Sequence, residues 1–168
     1  MAKILVLAIS VLTVVLMASA CSSPTTPNKL FPVTEGATFD EIRITIFKSP
    51  SCDCCQAWSD YLEEQNFQVK VVSTEDLSSM YTEYQIPQDM ESCHIALIED
   101  YGYFVVGHVP VFVIGKMLNE NPDIAGIALP GMPAGSPGMP GVQTESYKIY
   151  ALSDGAPSAF IMIDKLIN

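Results

Sequence analysis

An α/β domain is predicted by three observations: β-branched runs with period-two alternation, stretches of helical periodicity between them, and a Cys-x-x-Cys from Cys52 to Cys55 where the first strand gives way to the first helix. The chain has 168 residues, about half of them apolar, which suits one globular domain, read as 41–168.

The elements follow in order. In IRITIF the apolar residues Ile42, Ile44 and Ile46 alternate, predicting a strand. From Cys55 the spacing of Trp58, Tyr61 and Leu62 gives one apolar face of a helix running to about Gln65. FQVKVV is the next strand. STEDLSSMYTEYQIP opens with a Ser/Thr cap and early acids and sets Leu77, Met80, Tyr81 and Tyr84 on one helical face, ending before Pro87. Two β-rich runs around EDYGY predict a hairpin, and an apolar helix follows with Pro110 in its first turn. Strand, helix, strand, helix, hairpin, helix, with a Cys-x-x-Cys after the first strand, is the thioredoxin-like arrangement. Beyond it come a Pro/Gly-rich loop, LPGMPAGSPGMPG, and SYKIYALSDGAPSAFIMI, whose two alternating runs around Asp-Gly predict a C-terminal β-hairpin. Trp58 and the other aromatics read as core.

Residues 1–20 are a targeting segment: one lysine, a long apolar run, and small residues ending at Cys21. ASAC resembles a bacterial lipoprotein processing site, with Cys21 as the lipidated residue, although Ala18 stands where leucine is usual. The alternatives are an ordinary cleaved signal peptide or an uncleaved anchor helix. Each places the domain outside the cytoplasm, periplasmic or at the cell surface. Residues 21–40, rich in Ser, Thr and Pro, are a flexible tether. A net charge of −11 argues against nucleic acid and against anionic membranes, so the only membrane contact expected is an N-terminal lipid anchor.

Three of the five cysteines fall within four positions, Cys52, Cys54 and Cys55. Thiols at a helix N-terminus are drawn toward thiolate by the free backbone N–H groups. In the predicted arrangement Cys93 opens the third strand beside this loop, so four thiolates converge. Soft thiolates select Cu(I), Zn(II) or iron–sulfur clusters. Outside the cytoplasm an oxygen-labile cluster would be exposed and a lone zinc purely structural, which leaves copper, and adjacent thiols can bridge several Cu(I) ions.

The motifs CDCCQAW, SCHIA, GHVP and PGMPAGSPGM resemble, in order and spacing, those of the CopG-like periplasmic copper-resistance family, catalogued as domain of unknown function 411. The likeness runs from about Ile42 to Phe160. It implies a thioredoxin-like fold, a CxCC cluster holding copper through Cys52, Cys54, Cys55 and Cys93, and a role in interconverting Cu(I) and Cu(II) during detoxification, with other periplasmic copper-resistance proteins as partners. Ile95 stands where the family has threonine, and Val106 and Pro140 where acids are common.

The only two histidines are weighed separately. Strand alternation from Cys93 sends His94 to the opposite face, so a structural histidine is at least as good a reading as a ligand. His108 stands evenly between metal ligand and helix-capping side chain. Met132 and Met139 either offer thioethers to Cu(I) or pack the loop over the domain as adaptable filler, and a lid shielding the copper pocket is compatible with both readings.

Three functions are therefore expected in competition. A copper-binding protein employs all four thiols. A thiol-disulfide oxidoreductase, with Cys52 as nucleophile and Cys55 resolving, leaves Cys54 and Cys93 idle. A module stapled by two disulfides or a four-cysteine zinc ion is disfavoured, because neighbours Cys54 and Cys55 pair poorly and a domain this large needs no staple.

Overall fold

The computed structural model describes residues 39–154 and 156–166. The targeting segment, Cys21 and nearly all of the tether lie outside the described residues. The elements are β1 (Arg43–Lys48), α1 (Asp53–Glu64), β2 (Gln68–Ser73), α2 (Ser78–Glu83), β3 (His94–Ile98), β4 (Tyr103–Val106), α3 (Val111–Glu120), β5 (Gly126–Ala128), β6 (Tyr147–Leu152) and β7 (Ser158–Ile163), with one 3-10 turn at Gln88–Met90. Among the described residues no helix is long and apolar enough to cross a membrane.

The strands form one mixed sheet in the order β2-β1-β3-β4-β5-β6-β7. β1 pairs parallel with β2 and antiparallel with β3, which closes the predicted hairpin with β4. α1 supplies the crossover that the parallel pair requires. Strand, helix, strand, helix, hairpin, helix is thus the order observed, and β6 with β7 forms the expected C-terminal hairpin.

Alternation along the strands divides the core into two layers. Ile44 and Ile46 of β1, Ala96 and Ile98 of β3, Val105 of β4 and Ile127 of β5 face one side, where they pack with Trp58 and Leu62 of α1 and with Val113, Ile114 and Met117 of α3. Ile95, Phe104, Val106 and Ala128 face the other, where Tyr81 of α2 covers them. The strands around β1 and β3 are therefore covered on both sides.

Three details depart from the sequence reading. α2 is only six residues long: Asp76 accepts hydrogen bonds from the Ser78 hydroxyl and the Ser79 N–H, holding residues 74–77 in a turn, and Gln85 ends the helix in the left-handed region at φ 52°. Pro110 is the N-cap of α3 rather than part of its first turn. β5 has no counterpart among the expected elements, because its three residues are too few for any periodicity; it pairs parallel with β4 and antiparallel with β6.

Ile46 is fully buried at the centre of the layer that carries α1. Ile46→Ala is expected to destabilise the fold by about 2–5 kcal/mol, read as a lower denaturant midpoint at unchanged slope. A loss below about 1 kcal/mol would mean the cavity collapses and the layer is loosely packed.

Candidate metal centre

The cysteine cluster is built by the exit from β1. The Cys52 N–H donates to the Ser49 carbonyl (3.1 Å), turning the chain into α1, and Cys52 takes the N-cap position with its sulfur accepting from the Cys55 N–H at 3.3 Å. A thiol thus does what Ser or Asp usually does at that position. The first turn puts Cys52 and Cys55 on one side, Cα–Cα 5.4 Å, joined as a disulfide. Cys54 is free, its sulfur 3.5 Å from that of Cys52. Cys93 arrives from just before β3, and all four sulfurs lie within 4.8 Å of one another. The structure therefore brings together the four cysteines singled out in the sequence, with two of them in the oxidised state.

The residue before Cys93 is fixed from the α2 side of the sheet. Tyr81 of α2 donates its hydroxyl to the Ser92 carbonyl (2.5 Å). Burial, then the charge of Cys54, pushes the Cys93 thiol up to about 12. At neutral pH it carries its proton, which a metal must displace.

The histidines lie differently from the expectation. His94 does not turn away from Cys93; its Nδ1 is 3.3 Å from the Cys93 sulfur. Cys93 precedes β3 rather than belonging to it, so strand alternation does not relate the two side chains. His94 points into the α1 layer, with its ring 4.5 Å from Trp58 and 4.9 Å, edge-on, from His108. His108 does not cap α3. It follows Gly107, whose φ of +74° and contact with the Leu129 carbonyl leave no room for a Cβ, and this turn carries the imidazole inward. His108 Nε2 lies 3.2 Å from the Cys93 sulfur, and Nδ1 lies 2.8 Å from the Pro137 carbonyl. A carbonyl can only accept, so Nδ1 holds the proton and Nε2 presents its lone pair to Cys93. Burial, reinforced by His108, lowers His94 to about 3, with the Gly107 backbone opposing; burial also lowers His108, against the Pro137 contact.

The Pro/Gly-rich loop closes over this cluster. At Gly138, φ +79°, a Cβ would stand 2.7 Å from the Trp58 nitrogen and 2.8 Å from the Cys54 carbonyl, so only glycine lets the loop rest on α1. Ser136 is buried and donates its hydroxyl to the Pro133 carbonyl. Met132 is 41% exposed and Met139 is half-buried. The covering loop expected from the sequence is present, held by backbone packing and the His108–Pro137 bond.

Two residues take part in the site in a way the sequence did not assign to them. Lys48 is buried at the end of β1, with Nζ donating to the Ser49 and Cys52 carbonyls at 3.2 and 3.3 Å. It puts a cation beneath a loop of thiols. Trp58 donates its indole N–H to the Val109 carbonyl (3.0 Å), tying α1 to the turn that carries His108. A lysine after a strand, or a tryptophan at helical spacing, is ordinary in sequence; only the third dimension distinguishes them.

The DUF411 family model, described as a protein of unknown function, matches residues 90–139. Two solved structures, "Copper resistance protein copG" forms 1 and 2, are 35% and 36% identical to this chain, with TM-scores of 0.67 and 0.66. The matches cover 73% and 72% of this chain and 98% and 97% of theirs. No curated protein matches it significantly.

Two outcomes are expected from the geometry. Gly138→Ala should lift the loop and speed reaction of the Cys54 thiol with an aromatic disulfide reagent; unchanged reactivity would show that the loop does not guard it. His94 should stay neutral at pH 6, where an exposed histidine is mostly protonated, and His108 should take up its proton at a lower pH than an exposed histidine does, as read by ring nitrogen NMR. Their folded values lie below the unfolded one, so the unfolded state binds protons first and acid costs stability as pH falls through about 6.5. A His94 ring protonated at pH 6 in the folded protein, or a His108 ring that titrates no lower than an exposed one, would contradict this.

Proposed function

The chain belongs to the CopG-like DUF411 family, and on that footing we propose that it is an extracytoplasmic copper-binding protein of copper resistance, holding Cu(I) through Cys52, Cys54, Cys55 and Cys93. The observation that carries this reading is the convergence of four sulfurs within 4.8 Å where α1 begins. A disulfide needs two thiols, and a redox pair needs two. Four soft donors in one pocket match Cu(I), and sulfurs this close can bridge more than one ion into a cluster. Lys48 offsets part of the negative charge from beneath, and the loop carrying Met132 and Met139 covers the metal. Lipidation at Cys21 would anchor the domain through its tether.

Interconversion of Cu(I) and Cu(II) fits the same cysteines. Oxidation of the Cys52 and Cys55 thiols to a disulfide releases two electrons and two protons, and two Cu(II) ions each accept one electron to become Cu(I). A thiol reductant of the compartment would restore the dithiol. The Cys52–Cys55 disulfide also favours a second reading, thiol-disulfide exchange with Cys52 as nucleophile and Cys55 resolving.

Anaerobic Cu(I) titration of the reduced protein separates the two. Uptake of more than one Cu(I) per chain with loss of the four thiols of Cys52, Cys54, Cys55 and Cys93 is expected, and Cys54→Ser should lower stoichiometry or affinity while leaving dithiol activity intact. Weak uptake, or copper binding indifferent to Cys54→Ser, would transfer the assignment to the oxidoreductase.

A further inference from the structure

On the α2 face of the sheet, Phe104 of β4, Gly126 of β5 and Leu152 of β6 stand in one cross-strand row. The middle member has no side chain. A Cβ on Gly126 would lie 2.4 and 2.6 Å from two carbons of the Phe104 ring, so the ring leans across the glycine into the gap. Beside it a cavity of about 290 Å³ opens to the surface, with Tyr84, Phe104 and Leu152 toward its inner end and Glu83, Gly102 and Asp154 at its rim. No cysteine or histidine lines it, so its occupant is independent of the copper reading. We propose that this cavity receives the side chain of an arginine presented by a partner protein.

Size argues for a side chain rather than a free ligand. Small-molecule pockets hold about 300–1,000 Å³ and enclose most of what they bind. This cavity falls at the lower limit, and its exposed rim leaves it open on one side. One long side chain, entering from the surface, suits that shape.

Charge selects a cation. Glu83 at the end of α2 and Asp154 in the turn after β6 are both exposed, and neither has a lysine or arginine partner among the described residues. The Tyr84 hydroxyl is pushed up by burial and then by the charges of Glu83 and Glu99, which marks a negative potential at the ring. A chain of net charge −11 also draws basic partners from a distance.

The aromatic lining selects the guanidinium among cations. Tyr84 and Phe104 meet edge to face, with ring centroids 5.8 Å apart, behind the two carboxylates. A guanidinium is planar and weakly hydrated; it stacks on aromatic rings while its N–H groups bond carboxylates. The ammonium of lysine is compact, strongly hydrated and less suited to this combination.

The test is an NMR titration of the isotope-labelled protein with the tripeptide N-acetyl-Gly-Arg-Gly-amide, beside its lysine and citrulline counterparts. The arginine peptide is expected to shift the amides of Gly102, Leu152 and Asp154 and the ring of Tyr84, with a Kd of about 1–10 mM. It should bind at least about threefold more tightly than either counterpart. Both acids are exposed, so Glu83→Gln/Asp154→Asn removes charge without disturbing the core, and it should weaken the arginine peptide by at least about threefold. No shift of these signals at about 20 mM peptide, equal binding of the lysine or citrulline peptide, or affinity indifferent to the double substitution overturns the proposal.

Discussion

The placement of α1 against the turn at Gly107–Pro110 is the constraint on which the rest of the site depends, and a single indole enforces it. Trp58 is completely buried and donates to the Val109 carbonyl, so the helix can neither slide nor roll without leaving a buried donor unsatisfied. The helix start carries three cysteines; the turn carries His108; the loop bearing Gly138 rests on the helix backbone at Trp58. Each group reaches the others only because this contact sets their common frame. Tyr81 fixes the remaining member from the opposite side of the sheet by holding the Ser92 carbonyl next to Cys93.

Much of this frame is legible in the sequence because it rests on local periodicity. Ile42, Ile44 and Ile46 announce the first strand, and the spacing of Trp58, Tyr61 and Leu62 announces the helix that follows, so the position of the cysteines at the junction is readable from the residues alone. The Pro/Gly-rich stretch likewise reads as a covering loop. What is not legible is set by tertiary contact. The protonated nitrogen of His108 is decided by the Pro137 carbonyl, 29 residues away in sequence. Treating Cys93 as part of the strand sends His94 to the wrong face, because Cys93 stands one residue outside it. The short β5 exists because β4 and β6 flank it, not because its residues insist on it. Lys48 looks like a solvent-facing strand residue until the turn after it folds back and surrounds its ammonium with carbonyls.

The electrostatics of the pocket are set by burial at one end. Burial keeps the Cys93 proton on and the imidazoles neutral, which lets a thiol and two rings pack together without net charge. At the other end stand the start of α1, Lys48, the disulfide-bonded Cys52 and the free Cys54. Cys93 is the residue where the two ends meet, and a metal that binds there must displace its proton.

Trp58 has one more consequence. It is the chain's only tryptophan, it is shielded from water, and its ring lies 4.5 Å from the His94 imidazole. All tryptophan emission therefore originates against a candidate ligand, free of background from elsewhere in the fold. The protein carries its own optical gauge: the colour and lifetime of that fluorescence follow the electronic state of the neighbouring ring, in dilute solution or on a membrane, with no label attached.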